Sequence, residues 1–198
     1  MLIAVGISLV CALGACGGGT EPSASPSTFS TAMVGSREFG FSLRYPAEFV
    51  KVEPAVSAST QPGLLYQVYM ADPDGAMSGE VTLDVLGLAV YRMNKAAGPG
   101  DVSRHKREFR AVAANLVEHP EGLRIMEPFG VTELAGHEAL KGIYSYRVGD
   151  ANVAVVAYLI PVGERAYWVT GQASRQTWES TGRILGSAIA TLRLDGSD

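Results

Sequence analysis

The chain has 198 residues, 47% of them apolar, with 16 basic against 20 acidic side chains and a formal charge of −4. A pI near 5.4 excludes the general nucleic-acid binder, which carries a basic domain against phosphate, and the apolar share suffices for one packed core. Two cysteines, Cys11 and Cys16, leave no disulfide framework downstream.

The first segment is an uncharged apolar run from Leu2 to Leu13, closed by Leu13-Gly14-Ala15-Cys16 and followed by Gly17-Gly18-Gly19. As a helix, Leu2 to Cys16 would rise only about 22 Å against a hydrocarbon core of about 30 Å, too short to span well. An apolar core ending in small residues fits a processed secretory segment. The usual basic n-region is missing, since no Lys or Arg precedes Arg37; a start site upstream of Met1 would supply it. The spacing resembles a bacterial lipoprotein signal: a branched apolar residue three places before the cysteine, two small residues, then the cysteine. The resemblance implies that residues 1–15 are a signal peptide and that Cys16 is the lipid attachment residue, first in the mature protein and bearing palmitate-type acyl chains. Two acyl chains, at about 0.8 kcal/mol per buried methylene, hold where one is marginal. The expected address is the extracytoplasmic face of the cell membrane, lipid-anchored, in the cell envelope.

Residues 16–35 are rich in Gly, Ser, Thr and Pro and poor in branched apolar side chains, which predicts a flexible tether. With no internal repeat and no later linker, residues 36–195 form a single domain. Phe39, Phe41, Leu43 and Tyr45 alternate with small or polar residues and predict a strand with one buried face, closed by Pro46. Leu64 to Met70 reads as a second strand, ended by the turn Asp72-Pro73-Asp74-Gly75. Glu80 to Met93 reads as a long strand with a bulge at Gly87, and Asn94 to Asp101 as a loop. Phe109, Val112, Ala113, Leu116 and Val117 fall at helical spacing, predicting a helix from Val102 to Glu118 that His119-Pro120 ends.

Leu140 to Val148, Asn152 to Val162 and Arg165 to Ala173 predict an antiparallel meander, followed by a final helix that Ser174 caps, with Trp178, Leu185, Ala188, Ile189 and Leu192 as its apolar stripe. Pairing Val148 with Val153 sets Tyr146 against Val155 and Tyr144 against Ala157; pairing Val162 with Arg165 sets Leu159 against Trp168 and Ile160 against Tyr167. Tyr144, Tyr146, Val155, Ala157, Leu159 and Trp168 then share one face, and Ile143, Val156, Tyr158, Ile160, Tyr167 and Val169 the other. Two apolar faces need two covers, and two amphipathic helices are available. The expected fold class is α+β, an α/β/α sandwich with a mainly antiparallel sheet flanked by two helices. Phe41-Ser42-Leu43-Arg44-Tyr45-Pro46-Ala47-Glu48-Phe49, and the Tyr167-Trp168-Val169-Thr170-Gly171 strand running into the Trp178 to Leu192 helix, resemble the PsbP/Mog-like fold family, and within it bacterial envelope lipoproteins of LpqN type. That resemblance implies a binding or assembly protein more than an enzyme.

No catalytic motif emerges. His105, His119 and His137 lack the spacing of a zinc site, Gly186-Ser187-Ala188 lacks the context of a nucleophile elbow, and Asp72-Pro73-Asp74-Gly75 has too few carboxylates and too early a glycine for a calcium loop; no metal and no cofactor are expected. Two features are candidates. Arg104, His105, Lys106 and Arg107 crowd the first turns of the first helix, where the dipole disfavours cations; Arg104, Lys106, Arg107 and Arg110, with Lys95 as an addition, could bind an anionic lipid or an acidic partner, or form a solvated helix face compensated by Asp101 and Glu108. Tyr144, Tyr146 and Trp168 around Ala157 could line an apolar pocket, or form core that the stripe of the final helix covers. The expected function is a non-enzymatic binding or scaffold module for an envelope protein or amphiphile, anchored in the membrane through Cys16; the alternative is an envelope hydrolase or transferase whose site has no sequence signature.

Overall fold

The computed structural model describes residues 30–54, 62–117 and 120–195; the signal segment, Cys16 and His119 lie outside the described residues. In chain order the elements are β1 (Thr31–Ser36), β2 (Phe41–Pro46), β3 (Val50–Val52), β4 (Leu64–Ala71), β5 (Met77–Ser78), β6 (Val81–Thr82), β7 (Val85–Ala97), α1 (Asp101–Arg104), α2 (Lys106–Leu116), β8 (Arg124–Leu134), β9 (His137–Val148), β10 (Ala151–Ser174), α3 (Trp178–Ile189) and β11 (Arg193–Leu194). Every pairing among them is antiparallel. The main sheet has the order β3-β4-β7-β10-β9-β8, a small sheet the order β1-β2-β11, and β5 and β6 form a short ribbon.

β10 runs 24 residues, which as one straight strand would reach about 80 Å. It doubles back instead at Gly163-Glu164, where Gly163 takes a positive φ of 56°. Arg175 N–H donates to Asn152 O at 2.9 Å, and a Cβ on Gly171 would lie 3.3 Å from Val156 Cγ1. Both contacts belong to the register that sets Leu159 against Trp168, as the sequence predicts. The first arm pairs with β9 and the second with β7, so the hairpin is the middle of the sheet.

The β9 register differs from the expected one by two residues. Ala151, not Val153, pairs with Val148 across the Gly149-Asp150 turn, so Tyr146 meets Val153 and Tyr144 meets Val155. A shift of two leaves every side chain on its own face, and the assignment of faces stands. One cluster gathers Val156, Ile160, Tyr167 and Val169 with Leu185, Ile189 and Leu192; the other gathers Tyr144, Val155, Ala157, Leu159 and Trp168 with Val102, Ala113 and Val117. The sheet is thus flanked by helices on both faces, an α+β sandwich. The final helix covers the face opposite to the Tyr144, Tyr146 and Trp168 set, and α1 and α2 cover that set.

Other boundaries move for local reasons. Residues 31–35, expected in the tether, belong to β1, which pairs with all of β2 and buries Val34. Gly87 marks no bulge: it stands in register between Tyr69 and Thr170, and a Cβ on it would lie 2.7 Å from Thr170 Oγ1. β7 starts only at Val85 and continues to Ala97, shortening the expected loop. The first helix breaks at His105, whose φ of −113° and ψ of 32° separate α1 from α2, and it ends at Leu116. Thr177, not Ser174, occupies the N-cap of α3; Ser174 closes β10, its N–H donating to the buried Asp84 carboxylate at 3.1 Å. β8 was not expected at all.

Candidate functional site

The helical segment that covers the second cluster is fastened along one side. Ser103 Oγ donates to Glu138 Oε1 at 2.6 Å, and Arg110 Nε donates to the carbonyl of Phe129 at 2.5 Å. Phe129 is itself buried and meets Trp168 with ring centroids 5.9 Å apart. Tyr144 stacks on Tyr146 at 6.3 Å, and the Tyr146 hydroxyl donates to Gln172 Oε1. Tyr144 and Trp168 are closed into the core and Tyr146 is half-buried. These three rings therefore act as packing for α1, α2 and β8.

On the other side, toward β7, a groove of about 370 Å³ opens between α2 and the sheet. Phe109, Val112 and Leu116 form one wall, Tyr91 and Met93 the other, and Leu159 with Ala166, from the two arms of β10, line it as well. The sequence assigns Val112 to the buried stripe, yet it is 45% exposed, because α2 settles on Ala113 and Val117 and leaves its flank over the groove. Lys95, Asp101, His105 and Glu108 complete the lining. The Asp101 carboxyl is held below the usual carboxylate range, first by the N–H of Gly98, which donates at 2.8 Å, and then by Arg104, His105 and Lys95. His105 Nδ1 lies 3.7 Å from Glu108 Oε1. Apolar walls beside groups of both signs suit a molecule with one apolar and one polar end.

The basic residues of the first helix divide. Arg104 pairs with Asp101 at 2.6 Å and Arg110 is committed to Phe129, whereas Lys106 and Arg107 are exposed. His137 opens β9 and His105 sits at the groove. Among the described residues no three His, Cys, Asp or Glu side chains are placed to hold a metal ion, and no helix is long and apolar enough to cross a membrane. Tyr91, Met93 and Leu159 are the groove residues that the sequence does not reveal, since each reads as ordinary strand core.

No family model matches the sequence, and no curated protein matches it. Solved structures do match. The fold is similar to cyanobacterial PsbP (CyanoP) from Synechocystis sp. PCC 6803, with a TM-score of 0.58 at 13% identity over 92% of this chain and 98% of that one. It is also similar to LpqN, involved in cell envelope biogenesis of Mycobacterium tuberculosis, with a TM-score of 0.50 at 11% identity over 86% and 87% of the two chains. A Bacteroides thetaiotaomicron VPI-5482 structure gives 0.51 at 12% identity, covering 83% of this chain and 48% of that one. At such identities the likeness establishes a PsbP-like fold, and a fold hosts many functions.

Proposed function

We propose that this chain is a non-enzymatic binding module of the cell envelope, tethered to the extracytoplasmic face of the membrane through an acylated Cys16, and that the groove beneath α2 takes the apolar end of an amphiphilic envelope component. The observation that carries this reading is Val112, exposed on the wall of a groove whose other walls are Phe109, Leu116, Tyr91 and Met93. Apolar side chains around a concavity with polar groups beside it are the usual make-up of a small-molecule site. The Leu13-Gly14-Ala15-Cys16 signal and the fold shared with LpqN support the address.

Two measurements test it. Membrane fractionation with intact-mass analysis addresses the anchor: wild type carries the acyl mass and pellets with membranes, and Cys16→Ala is soluble. A wild type without added lipid mass ends that part of the reading. Titration of the purified mature chain with a fluorescent fatty acid addresses the groove, with Val112→Asp expected to weaken binding at least about tenfold, since it places a charge against apolar walls. Unchanged affinity in Val112→Asp, at an unchanged melting temperature, removes the groove as the site.

A further inference from the structure

A second concavity lies on the opposite face of the sandwich, between α3 and the β1–β2 pair. It measures about 540 Å³ and is lined by Thr31, Arg44, Tyr45 and Pro46 on one side and by Ser180, Arg183, Ile184, Ser187, Ala188 and Thr191 on the other. The α3 residues recur at three- and four-residue intervals, so they form one stripe of the helix. Thr191 Oγ1 accepts from Arg44 N–H at 2.9 Å and donates to Ala188 O at 2.7 Å, tying the C-terminal end of α3 to β2. Further along, Tyr45, Pro46, Ile184 and Ala188 give the trough an apolar lining.

Two arginines, Arg44 and Arg183, are among its lining residues. Arg183 Nε donates to Glu179 O at 2.7 Å, which leaves its two terminal nitrogens, and neither Arg183 nor Arg44 has a carboxylate within salt-bridge distance among the described residues. Both residues are exposed. An apolar trough under two unneutralised arginines complements an acyl chain that ends in an anionic head group.

The position of Thr31 names the source. Thr31 lines the trough and begins β1, so the chain coming from Cys16 enters the domain at this wall. From Cys16 to Ser30 that chain reaches no more than about 50 Å even when fully extended. The trough is therefore the concavity whose own wall continues into the anchor, and the abundant anionic amphiphile within reach is the bilayer itself. We infer that the trough between α3 and β2 binds an anionic phospholipid of the supporting membrane, Arg44 and Arg183 holding the phosphate and the trough taking the upper part of an acyl chain, so that the domain sits on the bilayer by this face. The inference takes from the proposed function only the tether through Cys16. It places the α2 groove on the side of the sheet away from the lipid.

The test uses the mature chain from Cys16 onward carrying Cys16→Ser, which retains every element from β1 to β11 and has no acyl group. Its result is therefore independent of whether Cys16 is acylated. Sedimentation with vesicles of phosphatidylcholine, with and without phosphatidylglycerol, is expected to show partition only onto the anionic vesicles, unchanged by inorganic phosphate. At about a fivefold effect for each basic side chain near an anionic surface, Arg44→Glu with Arg183→Glu lowers partition at least about thirtyfold. The neutral pair Arg44→Gln with Arg183→Gln gives a smaller loss, and Ile184→Asp lowers partition with both arginines in place. Arg104→Glu with Arg107→Glu leaves partition unchanged. Circular dichroism melts establish that each variant is folded. Absence of binding by the folded parent chain, equal partition of the parent and both arginine pairs, loss in the Arg104 and Arg107 pair instead, or full competition by inorganic phosphate overturns the inference.

Discussion

Phe129 fills the space that a side chain on Gly142 would occupy: a Cβ on Gly142 would lie 2.8 Å from Cδ1 and from Cε1 of the ring. The same residue offers its carbonyl to Arg110 and its ring to Trp168. One glycine in β9 thus lets β8 lay an aromatic ring on the sheet, and that residue in turn fastens α2. Gly142→Ala is expected to destabilise by about 1 to 3 kcal/mol through overpacking. In a Phe129→Leu background the penalty should shrink, because the two sites share one space. Urea denaturation of the four chains checks both, and equal penalties in the two backgrounds contradict the relationship.

The start of the domain is set by Val34. It is 3% exposed and belongs to the same cluster as Leu43 and Leu192. A chain beginning at Ser36 loses β1 and its pairing with β2, and is expected to be less stable than one beginning at Ser30 by at least about 2 kcal/mol, roughly the burial of one valine side chain. Chemical denaturation of both chains decides; equal midpoints would show that β1 adds nothing.

Trp178 and Leu185 both point from α3 into the first cluster, but they are not equal partners. Leu185 is fully buried, while Trp178 is half-buried at the first turn, its ring packed against Gly182. The sequence reading, which counts Trp178 in the buried stripe, would assign its removal about 3 to 5 kcal/mol. The structure lowers this to about 1 to 3 kcal/mol for Trp178→Ala and ranks Leu185→Ala above it, at about 2 to 5 kcal/mol. Thermal melts of the two variants test the order.

Asp72 predicts a pH dependence. Burial raises its carboxyl above the usual carboxylate range, with Asp84, Asp74 and Glu48 adding to the effect and the N–H of Asp74 opposing it. A carboxyl whose folded value is raised favours folding more when protonated, so this contribution is lost as pH rises from the ordinary carboxylate value through the raised one. Asp72→Asn keeps the acceptor for Asp74 N–H, which donates at 3.0 Å, and removes the charge. It is expected to stabilise at neutral pH by less than about 1 kcal/mol, given partial exposure and screening. The gain should vanish near pH 3, where both chains are neutral at this position; denaturation midpoints at the two pH values read the difference.

The hairpin and its two faces were legible because Tyr144, Val155, Val156, Tyr167 and Trp168 obey period-two alternation and both sides are apolar. The exact register of β9 was not, because a two-residue turn over Gly149-Asp150 and a four-residue loop over Gly149-Asp150-Ala151-Asn152 are both acceptable and the faces do not distinguish registers that differ by two. β8 escaped notice because five consecutive residues from Arg124 to Pro128 are exposed, so no alternation announces a strand. β1 escaped because Thr31, Gly35 and Ser36 have the composition of a tether, and only β2 makes them a strand. Of the candidate site residues, Arg104 pairs with Asp101 at the three-residue spacing of a helix face, whereas the bond of Arg110 to the carbonyl of Phe129, 19 residues away, is one that no spacing rule reveals; the trough could not be read at all, since its walls on β2 and α3 come together only through tertiary packing.

The small sheet joins the two extremes of the domain: β2 takes β1 on one side and β11 on the other, with Leu194 opposite Phe41. Closing so long a stretch of chain costs more entropy than the neighbouring turns of the main sheet, where β8, β9 and β10 follow one another. On this ground the middle of the main sheet is expected to form before the small sheet, and the small sheet to fray first. Hydrogen exchange should find the arms of β10 among the slowest amides and β11 among the fastest strand amides. Under the proposed tether, the least durable seam would lie at the point of attachment, where a bound lipid would clasp β2 to α3 and lend the seam the stability its own pairing lacks.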